Sequence, residues 1–124
     1  MDQAEHDLQS ARNNLEKVAF YSDACFMSEQ AAQKALKAYL LFKGERYITI
    51  HSVQELANLC GQYDRAFEKV VEYGMVLDRY YISTRYPDAL APPAVPYKSY
   101  TNEDAVQALR YAEKILQLVR NKIK

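Results

Sequence analysis

Glycine is scarce in this chain of 124 residues, at 3, and no Gly-rich phosphate loop or Gly-x-Ser-x-Gly elbow occurs. That excludes the recognisable apparatus of P-loop nucleotide hydrolysis and of serine-nucleophile catalysis. Cysteine is as rare, with Cys25 and Cys60 alone and without metal-ligand spacing. Both fall in apolar helical patterns, so they read as reduced core thiols of a cytoplasmic protein. The two histidines, His6 and His51, stand too far apart in sequence to suggest a metal, and no metal or cofactor is expected. Neither sign of charge is in excess, since 16 Lys and Arg balance 16 Asp and Glu. General attraction to nucleic acid is therefore not implied, although a local basic patch stays open. No run is apolar for long enough to cross a membrane. The opening Asp2, Glu5, His6, Asp7 does not read as a signal peptide.

What is present is helix-forming. Apolar residues make up 49% and charged residues 26%, so one domain (1–124) with a real core is expected without staples. Alanine, glutamate, lysine, leucine and glutamine favour helix over strand. The 11 tyrosines suit half-buried rings with wet hydroxyls. Ala4, Leu8, Ala11, Leu15 and Val18 make an amphipathic stripe, which predicts a first helix over about 2–21. Ser22 or Asp23 is the expected cap of a second helix running to about Lys43, with Gly44 its stop. Tyr47-Ile48-Thr49-Ile50 has a β-like composition but no second strand to pair with, and reads as extended and packed. Ser52 is the expected cap of a short third helix, ended by Gly61, and a fourth helix is expected over about 64–82. All 4 prolines fall between Arg85 and Tyr97, which sets a long loop there. Thr101 and Asp104 form a capping-box pattern opening the last helix. These elements predict an all-α, up-and-down bundle of four to five helices.

The second helix carries the sharpest pattern. At about 100° per residue, Gln30, Gln33, Lys34 and Lys37 share a narrow polar stripe, while Ala24, Ala31, Ala35, Ala38 and Phe42 form a small-residue face. Glu29 projects into the apolar arc between Leu36 and Leu40. The stripe reads either as a solvated face or as the floor of an anion-holding groove. Downstream, Arg79-Tyr80-Tyr81-Ile82-Ser83-Thr84-Arg85-Tyr86-Pro87-Asp88 sets arginines and tyrosines where a helix breaks into a loop. Arginine offers a planar fork to phosphate and tyrosine a stacking face to a base. Arg85 has a structural alternative, an ion pair with buried Glu29 that locks the loop to the second helix. His51, just before a helix start, reads as a packed neutral imidazole with one nitrogen bonded.

In order and spacing, several segments together resemble the HEPN domain (higher eukaryotes and prokaryotes nucleotide-binding). They are Ala4-x-x-Asp7-Leu8-x-x-Ala11, Ser28-x-Gln30-Ala31-x-x-Lys34-Ala35-x-Lys37-Ala38, His51-Ser52-Val53-x-x-Leu56, Thr84-Arg85-Tyr86-Pro87-Asp88-Ala89 and Tyr100-Thr101-x-Glu103-x-Ala105. The likeness spans nearly the whole chain, as a stand-alone minimal member. It implies a helical bundle that commonly homodimerises, a small nucleotidyltransferase as partner, and a role in nucleotide binding or in a toxin–antitoxin-like pair. Many members are metal-independent ribonucleases with an arginine and a histidine separated by four to six intervening residues. After Arg85 those positions here hold Leu90, Ala91 and Pro92. The literal spacing occurs at Arg46 and His51, between the second and third helices. The reading is therefore a non-catalytic protein with Arg85, Tyr86, Lys34 and Lys37 as its nucleotide site and Asp88 orienting Arg85. The alternatives are a ribonuclease toxin using Arg85 with a tyrosine or His51, and an interaction module without a small ligand.

Overall fold

The helix-favouring runs form helices, and their apolar stripes meet around the second of them. A computed structural model describes residues 1–16, 20–85 and 100–123, with backbone alone for 82–85. The elements are α1 (Asp2–Glu16), α2 (Tyr21–Phe42), α3 (Val53–Tyr63), a 3-10 helix (Arg65–Val70), α4 (Val71–Arg85) and α5 (Asn102–Lys122). This is the expected all-α bundle. Among the described residues there is no strand, and the extended, packed reading of Tyr47 to Ile50 fails at Tyr47, whose φ of 58° is left-handed and whose ring is 96% exposed, while Ile48 and Ile50 are partly buried against the core. The proline loop expected between Arg85 and Tyr97 lies outside the described residues, apart from the backbone of Arg85 itself.

α2 is the central element and packs against α1, α3, α4 and α5. Its Ala24, Cys25, Ala31, Ala32, Ala35, Leu36, Tyr39 and Leu40 are buried, which accounts for a helix apolar over more than half its girth. Phe42 departs from the small-residue face and is half exposed, because α2 ends there. Gly44, at φ 102°, supplies the expected stop. The amide of Gly44 donates to the Leu41 carbonyl and that of Glu45 to the Leu40 carbonyl, both at 3.0 Å, the paired bonds of a Schellman ending.

Local capping chemistry holds at two helix starts and fails at one. Ser52 Oγ accepts from the Glu55 amide, and Thr101 and Asp104 complete the full capping box of α5. At α2, however, Phe20 occupies the cap position with no side-chain bond. Ser22 and Asp23 lie inside the first turn, because the helix begins at Tyr21 rather than after them. Gly61 is likewise not a stop. α3 continues through it to Tyr63, and the chain turns at Asp64, whose extended backbone (φ −152°) and carboxylate cap the 3-10 helix through the Ala66 amide. The expected fourth helix is thus two pieces. Asp64 also pairs with Lys122 at 2.8 Å, tying this corner to the end of α5. That pairing and the Ala66 amide hold its carboxyl below the usual range.

α3 and α4 approach unusually closely. A Cβ built on Gly74 would stand 2.7 Å from the Gln54 nitrogen and 2.9 Å from its Cα, so only glycine fits. One turn later, the Asp78 carboxylate accepts from the Val53 amide at 2.6 Å, the Gln54 amide at 3.2 Å and the Ser52 hydroxyl at 2.7 Å. A side chain on α4 therefore satisfies amides that α3 cannot satisfy within itself. At the other end of the bundle, Arg120 grips Glu5 through two nitrogens and Arg12 meets Glu113 at 2.9 Å, joining α1 to α5.

Candidate functional site

The residues of the polar stripe on α2 do not act alike. Lys34 Nζ donates to Asp7 Oδ2 at 2.6 Å, and Gln3 donates to the other oxygen of that buried carboxylate. Lys34 thus cross-links α1 and α2. Gln33, placed by its spacing on the polar stripe, is 5% exposed and turns inward. Its Nε2 donates to Glu29 Oε2 at 3.0 Å, and its Oε1 receives Lys37 Nζ at 3.0 Å. The same Oε1 lies 3.2 Å from His51 Nδ1.

Glu29 anchors this network. It is fully buried, as its place in the apolar arc predicts, and its other oxygen accepts from Gln30 Nε2 at 2.6 Å. Burial pushes its carboxyl up to about 7, against the pull of the two amides. The charge of Asp78 pushes the same way as burial, and that of Lys37 opposes it. Lys37 is itself lowered by burial, partly restored by Glu29.

His51 links this interior network to the surface. Its ring stacks on Tyr81 with centroids 5.9 Å apart and planes at 9°; one nitrogen is bonded, as expected, but the ring is exposed rather than packed. His51, Ser52, Asp78 and Tyr81 border a cavity of about 250 Å³. Three elements thus converge: α2 brings Glu29, Gln33 and Lys37; the connector and α3 cap bring His51 and Ser52; α4 brings Asp78 and Tyr81. Arg85 sits on α4 one turn beyond Tyr81 and two beyond Asp78.

Of the residues expected at a nucleotide site, Lys37 belongs to this cluster, and Lys34 is occupied by Asp7. The side chain of Arg85, the residues Tyr86 and Asp88, and hence the Glu29–Arg85 pair, lie outside the described residues. Sequence reasoning placed Gln33 on the polar stripe and Tyr81 in the arginine–tyrosine run without assigning either to the nucleotide site, and it did not name Asp78. For Gln33 the signal was present, since it stands four residues after Glu29 and four before Lys37. For Asp78 there was none, because its partners are more than twenty residues away. Cys25 and Cys60 are free and buried, and burial pushes each thiol up to about 12. Among the described residues, no group of three or more His, Cys, Asp or Glu could hold a metal ion. Among the described residues, no helix is long and apolar enough to cross a membrane.

Known proteins match this architecture along nearly its full length. The HEPN domain model matches residues 1–122. The crystal structure of TT1696 from Thermus thermophilus is 40% identical, with 98% of this chain and 93% of that one covered and a TM-score of 0.85. The crystal structure of ST0689, described as an archaeal HEPN homologue, is 34% identical over 99% of this chain and 93% of that one, with a TM-score of 0.77. A Methanocaldococcus jannaschii protein named "Putative toxin MJ1304" is 28% identical over 98% of this chain and 84% of its own length.

Proposed function

Because the chain belongs to the HEPN domain family, we propose that it is a nucleotide-binding bundle, non-catalytic by itself, that forms a homodimer and partners a small nucleotidyltransferase in a cytoplasmic toxin–antitoxin-like pair. The observation that supports this most is the convergence of Lys37, His51 and Tyr81 beside the last turn of α4, which carries Arg85. A cation, a stacked aromatic pair and an arginine position within two helical turns suit a phosphate and a base. Tyr86 and Asp88, close in sequence, complete the site in this reading, whereas Lys34, neutralised by its pair with Asp7, stays outside it. Calorimetry with ATP tests it. Millimolar-range or tighter binding by the wild type, weakened at least about tenfold in Arg85→Ala, is expected for a lost charge-assisted contact. No heat with the wild type at millimolar ATP overturns the ligand half. Co-expression with the nucleotidyltransferase encoded nearest this chain tests the partner half, where failure to co-purify counts against it.

The toxin name of the archaeal relative favours a second reading, a metal-independent ribonuclease. The stacking of His51 on Tyr81 gives it a specific form, with His51 as proton carrier and Arg85 holding the phosphate. Labelled RNA incubated with the protein and a chelator would then be cut, and His51→Ala would abolish the cutting. RNA left intact at high protein concentration removes this reading.

A further inference from the structure

The contacts of Gln33 fix more than packing. Lys37 Nζ can only donate, so the amide atom 3.0 Å from it is Oε1, an acceptor. That same acceptor lies 3.2 Å from His51 Nδ1, so Nδ1 carries the proton in the neutral ring. The opposite face of the Gln33 amide, Nε2, is turned to Glu29 and cannot exchange places with Oε1 without setting two donors against each other at Lys37. His51 is thereby held as the Nδ1–H tautomer, and its Nε2 keeps a lone pair on the ring edge away from Gln33. His51 is exposed and borders the cavity shared with Ser52, Asp78 and Tyr81.

We propose that this cavity is a base-recognition subsite for an amino-bearing nucleobase, with His51 Nε2 accepting a hydrogen bond from the exocyclic amine. The inference rests on the nucleotide-binding reading above and adds to it the part of the ligand this cavity takes. Three observations converge. The described lining offers His51 Nε2 as an acceptor and carries no cation, and the Asp78 carboxylate, already holding three donors, sets its charge against a phosphate. The flat stack of His51 on Tyr81 supplies a π surface beside that acceptor. At about 250 Å³ the space is smaller than the roughly 300–1,000 Å³ that encloses a whole drug-sized ligand, and suits one ring system with its sugar and phosphates outside. Lys37, bonded to the same Gln33 oxygen, stands where it can meet those phosphates.

The test compares ATP with purine riboside triphosphate, identical but for the missing amine, on the wild-type protein, together with ¹⁵N spectra of the His51 ring. ATP is expected to bind at least about tenfold more tightly, because the analogue leaves Nε2 unpaired. The spectra should show a protonated Nδ1 and a bare Nε2 at alkaline pH. They should show a mixture of tautomers in Gln33→Met, and His51→Ala should erase the preference for ATP. Equal binding of the two triphosphates overturns the base subsite while leaving nucleotide binding intact. A protonated Nε2 in the wild type overturns the tautomer assignment and the subsite with it. No binding of either triphosphate overturns the subsite and the nucleotide reading together. The two wild-type measurements stand even where a variant fails to fold.

Discussion

At the scale of single residues, Glu29 makes the clearest physical demand. Its carboxyl has no cation within hydrogen-bond reach among the described residues, only two amides, and burial holds its pKa at about 7 against an ordinary 4.5. The folded state therefore retains a proton that the unfolded chain has already released between those two values. With the folded state binding more protons, stability falls as pH rises through that window and levels off above it. A shift of this size corresponds to on the order of 3 kcal/mol. Urea titrations at intervals from pH 4.5 to 8 should show this decline in the wild type and its loss in Glu29→Gln. Parallel curves for the two proteins would mean the carboxyl is already ionised near pH 5. The sequence marked Glu29 as an acid in an apolar arc. It placed Gln33 with the lysines, because an amide follows whichever neighbour offers it the better bond. The choice was made by buried Glu29 and by His51, a residue from outside the helix.

Elements show a sharper division between what local sequence dictates and what packing adds. The capping box at Thr101 and Asp104 and the Gly44 stop are local, made of bonds among residues within five positions, and both were legible. The two other glycines were not separable by sequence. Gly61 lies inside α3, where an added Cβ would meet only the flexible Glu68 side chain at 3.8 Å, while at Gly74 it would strike the backbone of α3. Gly61→Ala should therefore be neutral or stabilise by up to about 1 kcal/mol, through higher helix propensity and a less flexible unfolded chain. Gly74→Ala should cost about 1–3 kcal/mol by forcing α3 and α4 apart. Thermal unfolding of the two variants side by side checks this. Equal effects would contradict the close crossing. The caps expected at Ser22 and Asp23 failed for a related reason, since α2 is held by packing against four other helices and can begin without a side-chain cap.

For the whole molecule, the core is closed around α2, and the two thiols report on that closure. Cys25 and Cys60 lie in it fully buried, with thiolates disfavoured by burial. The native protein should react negligibly with Ellman's reagent at pH 8 and release two equivalents of thiol in denaturant. Appreciable reaction without denaturant would show that the bundle opens locally at α2 or α3. The bundle itself was legible because amphipathic periodicity repeats in every helix, and the family was legible from short segments in the right order. The candidate site was only half legible. Its cations and aromatics stand out in composition, and Gln33 bonds Lys37 within one helix, but the Gln33–His51 contact and the Asp78 cap of α3 span distances in sequence that no local pattern records.

Asp78 also gives the fold a direction in time. The start of α3 is held by a carboxylate that lies 26 residues further on than Ser52. On a chain still leaving the ribosome, α3 has only the Ser52 hydroxyl to quiet its first turn until the middle of α4 has emerged. The third helix thus gains this second cap only once residue 78 is available, and a product cut short before it would carry α3 with its Val53 and Gln54 amides left to water.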